Sequence, residues 1–221
     1  MDFKDSTDLI ALTTTDRVVF SKELNDKIED DSQCLRSKNK YRYEFTRIWG
    51  QDDKLLCFIM FNPSTTDNIV IDRTTNECSS IAKLWGYHGI ALYNLYAFRS
   101  RKPGSVEKKL KTREDRNIAE MVGPRNEEIL DQVIKSNRYN KIVCAWGNHP
   151  HSADFINRSI NTIERIGKDR LLVLGETAEG QPVHPLANKY NSSESRQITE
   201  KDAEVLTQQF MKEFKKKFKL V

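Results

Sequence analysis

Cysteine is scarce and scattered. The four residues, Cys34, Cys57, Cys78 and Cys144, form no CxxC pair and no cluster, so neither a disulfide framework nor a thiolate zinc site is expected. Cys57 and Cys144 lie in apolar runs, where a thiol packs as a small hydrophobe. No uncharged apolar stretch approaches the roughly 18 residues that a membrane span requires. The N-terminus, MDFKDSTDLI, has acidic residues where a secretory signal would begin basic; a cytoplasmic protein with no membrane partner is expected. Neither GxxxxGKS/T nor GxGxxG occurs, which removes the usual phosphate cradles of nucleoside triphosphate and dinucleotide enzymes. His149 and His151 make an HxH pair, but Pro150 separates them and no third ligand stands nearby. No metal and no other cofactor is therefore expected. Net charge is only +4, without a long basic tract, which suits a polyanionic partner without demanding one.

A chain of 221 residues fits one sizeable domain better than two. Residues 1 to about 40 are polar and mixed in charge, with few apolar anchors around Asn25–Asp31; they read as a peripheral arm or a loosely packed short helix or hairpin. Residues 41–221 read as a single domain. Tyr41–Trp49 alternates apolar and polar residues like a half-buried strand, and Gly50-Gln51-Asp52-Asp53 has hairpin-turn chemistry. Leu55–Phe61, Ile90–Phe98, Lys141–Trp146 and Leu171–Leu174 are apolar runs of the kind found in strands covered on both faces. Helices are expected over Glu77–Trp85, Asn117–Met121, Pro124–Ser136, Ser152–Ile166 and, basic in character, Thr199–Leu220. Such alternation predicts a three-layer α/β/α fold around a mostly parallel central sheet.

Ligands of open α/β sheets bind beyond the carboxyl ends of the strands. At those ends stand Asn62-Pro63-Ser64-Thr65-Thr66-Asp67, Asn94, Trp146-Gly147-Asn148-His149 and the proline-stiffened loop Gly180-Gln181-Pro182-Val183-His184-Pro185-Leu186. Asn62-Pro63 alone could simply end a strand. Asn94 inside an apolar strand is harder to dismiss, because a buried amide left unpaired costs about 1–3 kcal/mol. Arg99, Arg101 and Lys102 follow the second apolar run and suit either a phosphate or a solvated loop. The C-terminal lysines Lys212, Lys215, Lys216, Lys217 and Lys219 form a solvated helix face or a contact to a DNA backbone.

The segments FIMFNPSTTD, DRTTNEC, WGYHGIALYNLYAFRS, AWG and GQPVHPL closely resemble the domain-of-unknown-function family DUF1643 over roughly residues 41–190. The ordered set Asn62-Pro63, Asn94, Ala145-Trp146-Gly147 and His184-Pro185-Leu186 also resembles the uracil-DNA glycosylase superfamily. That resemblance implies a metal-independent DNA glycosylase, a hydrolase that flips a base out of DNA and cleaves its N-glycosidic bond to leave an abasic site. In this reading Asn62 orients the attacking water, although an amide is no general base; Asp67 or Asp72 is the nearby carboxylate able to activate it. Asn94 pairs with the base edge, His184 donates to the departing base or to phosphate, and Leu186 wedges the stack. Phe61, Tyr93 or Trp85 offers a stacking face, and Pro63, Ser64, Trp146 and Arg99 complete the substrate contacts. The hydroxyl-rich loop after Asn62 suits a larger or modified base, including phage-type cytosines. The implied roles are antiviral defence or DNA repair, by a monomer. The alternatives are a non-catalytic module that binds a base or nucleotide, and a hydrolase of free nucleosides or nucleotides.

Overall fold

The computed structural model describes residues 20–25, 40–50, 54–64, 72–100, 103–112, 114–149, 152–189 and 198–220. Asp67, Arg101, Lys102, His151, Cys34 and the turn residues 51–53 lie outside them. Six strands, β1 (Phe20–Asn25), β2 (Arg42–Ile48), β3 (Leu55–Met60), β4 (Gly89–Asn94), β5 (Ile142–Cys144) and β6 (Leu171–Val173), form one sheet in the order β1-β2-β4-β3-β5-β6. The pairs β3–β4, β3–β5 and β5–β6 are parallel, whereas β1–β2 and β2–β4 are antiparallel. The protein is thus α/β, with a mixed sheet that is mostly parallel. Its helices are α1 (Arg73–Leu84), α2 (Pro103–Lys111), α3 (Asp115–Val122), α4 (Asn126–Lys135), α5 (Ala153–Ile166) and α6 (Glu200–Phe218).

The hairpin expected between β2 and β3 is not made, because β4 inserts between them. β4 is buried along its whole length and needs a hydrogen-bonded neighbour on each edge. The chain leaving β2 is instead held to the start of β4: the amides of Trp49 and Gly50 both donate to His88 O, at 2.9 and 3.1 Å. A Cβ on Gly50 would lie 2.3 Å from that of His88, so the crossing needs glycine. β2 also departs from simple alternation. Its partners shift in register between Leu24 and Asn25, a bulge that turns Tyr43 and Phe45, two residues apart, into different core clusters. Arg42 is buried as well, as are Thr46 and Arg47, which lie where β2 is paired on both edges.

Strand alternation divides the core. Cys57, Ile59, Ala91, Tyr93, Ile142 and Cys144 pack with Leu130 and Val133 of α4 and Phe155 and Ile163 of α5. Leu56, Phe58, Met60, Ile90, Leu92 and Val143 pack with Cys78 and Ala82 of α1. α6 lies against the β6 edge, where the side-chain hydroxyl of Thr207 accepts from the Val173 amide at 2.9 Å. Its Phe210, Phe214 and Phe218 stack along one side, which leaves Lys212, Lys215, Lys216, Lys217 and Lys219 exposed. The described cysteines Cys57, Cys78 and Cys144 are buried, and burial pushes their thiols up, away from thiolate chemistry. Among the described residues no helix is long and apolar enough to cross a membrane, and no cluster of three or more His, Cys, Asp or Glu side chains could hold a metal ion.

Candidate functional site

The parallel strands end on a cleft of about 290 Å³, near the lower limit of small-molecule pockets, roughly 300–1,000 Å³. β3 supplies one wall. Its ladder continues past Met60 through Leu95 N–H to Met60 O (2.8 Å) and Tyr96 N–H to Phe61 O (3.0 Å), which carries Phe61, Asn62, Pro63 and Ser64 into the cleft lining. The Asn62 amide is held from one end. Nδ2 donates to Pro63 O (3.1 Å) and Ser100 O (3.3 Å) and lies 3.5 Å from Phe98 O. Only the nitrogen end can serve carbonyls, so the amide orientation is chemically fixed and Oδ1 is left as the acceptor.

The opposite wall is the start of α1. The sequence places this helix from Glu77; the fold starts it one turn earlier, at Arg73, because Asp72 caps it by accepting the Thr75 N–H at 2.7 Å. Asp72, Arg73, Thr74 and Thr75 thereby line the cleft. One carboxylate oxygen of Asp72 is committed to the cap.

The third wall joins β5 to the loop after β6. Gly147 has φ +78°, a left-handed conformation that suits glycine. Its N–H donates to Pro182 O (2.9 Å), and a Cβ there would lie 3.1 Å from the Cβ of His184. The loop itself is tightened by Thr177 N–H to Gln181 O (2.8 Å) and Val183 N–H to Gly175 O (3.0 Å). Trp146, fully buried, donates from Nε1 to Gln181 Oε1 at 2.9 Å and walls the cleft beside His184. His184 Nδ1 accepts from the Leu186 N–H at 3.2 Å, so its proton sits on Nε2. Burial, with His149 nearby, pushes its pKa down to about 4: at neutral pH the ring is an uncharged N–H donor.

Five of the expected contacts are not in the lining: Asn94, Leu186 and Arg99, and the stacking candidates Tyr93, whose hydroxyl pairs with that of Tyr139, and Trp85, whose indole N–H donates to Ile198 O. Asn94 is buried, 2% exposed, and its Oδ1 has no hydrogen-bond partner. It pairs in register with Met60, which does line the cleft; in-register neighbours share a face of the sheet, so Asn94 stands beside Met60 on that face. Leu186 lies in the 3₁₀ turn Pro185–Lys189, which packs against α1. Arg99 is buried, and its backbone N–H donates to Lys40 O at 3.0 Å. Conversely, the cleft gains residues that sequence reasoning did not single out: Arg42, buried with its guanidinium over the Phe45 ring, Arg73, and Ser100. The β2 bulge aims Arg42, and no sequence motif announces a bulge. His149, which the sequence offered only as half of an unconvincing metal pair, also lines the cleft.

The described residues thus gather Asn62, Asp72, Trp146 and His184 around one opening. A model of the family DUF1643, a protein of unknown function, matches residues 42–186. The chain belongs to the DUF1643 family. The match begins at Arg42 and ends at Leu186, so every described lining residue of the cleft falls inside the DUF1643 region. No curated protein and no solved structure matches it.

Proposed function

We propose that this DUF1643 protein is a metal-independent DNA glycosylase of the uracil-DNA glycosylase type, with a three-layer α/β/α fold and its active site in the cleft. One observation carries the reading: an amide locked so as to present Oδ1 and a neutral imidazole carrying its proton on Nε2 line the same small opening. Hydrolysis of an N-glycosidic bond needs a water held beneath the anomeric carbon and a donor aimed at the departing base, where negative charge grows. Asn62 Oδ1 orients the water. His184 Nε2–H donates to the base, and its low pKa keeps it from being a cation that a carboxylate could capture. Phe61, its ring stacked on His149, backs the pocket, Asn94 reads the base edge, and Leu186 enters the space that the flipped nucleotide leaves. Arg42 and Arg73 bring to the lining the guanidinium groups with which proteins meet a nucleic-acid backbone. Water activation falls to Asp72 through the carboxylate oxygen its cap does not use, or to Asp67.

The test is incubation with duplex and single-stranded DNAs carrying uracil and modified cytosines, with mass analysis of released bases and alkali cleavage of the product. Base release that is lost in Asn62→Ala and His184→Ala, while DNA binding survives, is the expected result. Binding with no release from any substrate would refute catalysis and leave a base-binding module. Release from free nucleosides alone would make the protein a nucleoside hydrolase.

A further inference from the structure

We propose that His149 is a fixed cation in the wall of the cleft, held in that state by Glu107 and turned toward a ligand group that is, or becomes, anionic. His149 Nδ1 lies 2.7 Å from Glu107 Oε1 of α2, and Nε2 lies 2.7 Å from Trp146 O. A carbonyl oxygen and a carboxylate oxygen both accept, so both ring nitrogens must donate, and only the doubly protonated ring has two N–H groups. Both distances fall where charge-assisted bonds lie. The ring is stacked flat on Phe61, with centroids 3.6 Å apart and planes 14° from parallel, and Phe155 meets it edge-on at 5.8 Å. A cation over an aromatic face is favourable, most of all where water is excluded; the His149 side chain is only 13% exposed.

His184, in the lining of the same cleft, has the opposite arrangement: an N–H points at its Nδ1, so it is neutral. The other charged groups of the lining are Arg42, Asp72 and Arg73. Behind Phe61, Tyr96 donates to Asp154 at 2.6 Å, and Arg158 donates to Asp154 at 3.0 Å, so that carboxylate is spoken for and does not compete with Glu107. The cleft therefore combines one neutral donor, His184, with the positive end of the His149–Glu107 ion pair, beside the charges of Arg42, Asp72 and Arg73. With both nitrogens engaged, His149 cannot take a proton from water. What it can do is lower the energy of negative charge in front of Phe61, and Glu107 is the positioning residue that keeps it charged. The charge state stands independently of the glycosylase reading, on which only the identity of the anionic group, the departing base, depends.

Long-range proton–nitrogen NMR of ¹⁵N-imidazole-labelled protein at about pH 7 tests this directly. The expected result is two protonated nitrogens on His149 and a single Nε2–H tautomer on His184. A bare nitrogen on His149, as would arise if Glu107 were the protonated partner, overturns the proposal whether or not any base is released. In Glu107→Gln the expected result is loss of the second His149 proton. Base release should then fall roughly 10- to 100-fold, as for removal of a supporting residue that holds another in place, with affinity for a duplex holding an abasic-site analogue unchanged. Should that variant fail to fold, the wild-type spectrum still decides. Unchanged base release in a folded Glu107→Gln protein would refute the catalytic use of the charge. The expected spectrum without base release from any DNA would uphold the cation and sink the glycosylase reading.

Discussion

Asn62→Asp separates an amide held for its geometry from a position that merely needs a polar side chain. The two side chains are nearly isosteric, so packing is conserved. What changes is the group facing the carbonyls of Pro63, Ser100 and Phe98, which lie 3.1, 3.3 and 3.5 Å from Nδ2. Pro63 O keeps a partner, because the Ser100 N–H also donates to it at 3.0 Å; Ser100 O loses the Asn62 donor. Asn62→Ala forfeits these bonds at about 1–2 kcal/mol. Asn62→Asp forfeits them and sets a carboxylate against the carbonyl oxygens, for a total of about 2–4 kcal/mol at neutral pH. The repulsion raises the new carboxyl's pKa in the folded state. Its penalty is therefore absent below the unfolded carboxylate value, roughly 3.9, and grows as pH climbs through the raised folded value. Urea unfolding of wild type and both variants at about pH 5 and about pH 8 measures this, with each difference taken against wild type at the same pH. The expected order at the higher pH is wild type, then Asn62→Ala, then Asn62→Asp, with the last deficit shrinking at the lower pH. An Asn62→Asp protein as stable as Asn62→Ala at the higher pH, or a deficit independent of pH, would refute the carbonyl-facing orientation.

Because the folded pKa of His184 is pushed down to about 4, the unfolded chain binds its proton first as pH falls. Stability is whole above roughly pH 6.5 and drops by on the order of 3 kcal/mol as pH falls toward the folded value; a wild-type minus His184→Gln stability difference that stays flat over that range would contradict the burial. Asp72→Ala is expected to cost about 1 kcal/mol by uncapping α1, whereas Asp72→Asn keeps the cap within a few tenths. Equal losses in thermal unfolding would mean that the cap is not what Asp72 contributes to stability. Gly147→Ala places a Cβ 3.1 Å from that of His184 at a φ of +78°, costing about 1–2 kcal/mol. It is also expected to move the His184 ring resonances, and an unshifted spectrum would show that the two segments do not meet.

The fold was legible where physics is local. The apolar runs that became β3, β4, β5 and β6 are short, uninterrupted and flanked by turn residues, and Ser152–Ile166 has both a cap residue and helical spacing. Strand order was not legible. Gly50–Asp53 looks like a hairpin turn, and only the need of buried β4 for two partners sends β3 beyond it. Helix α2 went unread although Pro103 begins it and Val106 and Leu110, four apart, are its buried residues; two apolar anchors in a run rich in lysine make a weak helical pattern. That omission hid Glu107, and with it the meaning of His149. The cleft was legible in outline, because Asn62, Trp146 and His184 each follow a strand or its return loop. Arg42 was not, because a bulge decides where it points.

Two buried asparagines show what the sequence alone leaves open. Asn94 and Asn126 are equally hidden, at 2% and 1% exposure. The Nδ2 of Asn126 is tied to the Asn94 and Leu95 carbonyls, at 3.0 and 3.1 Å, where β4 ends. Its task is to satisfy backbone groups that the strand abandons, which is reason enough for an amide there. Asn94, the one that a reader of the sequence notices, has no such reason: its Oδ1 is buried without a partner, at a cost of about 1–3 kcal/mol. A fold that needed only a side chain of that shape would carry leucine, as β4 does two residues earlier. The position beside Met60 on the cleft face of the sheet supports a role in which a donor arrives from outside the protein. Asn94→Leu is accordingly expected to stabilise the free protein or leave it unchanged while abolishing discrimination among bases. A loss of 2 kcal/mol or more in urea unfolding, on the order of the cost of breaking a satisfied buried hydrogen bond, would show that Asn94 serves the fold instead.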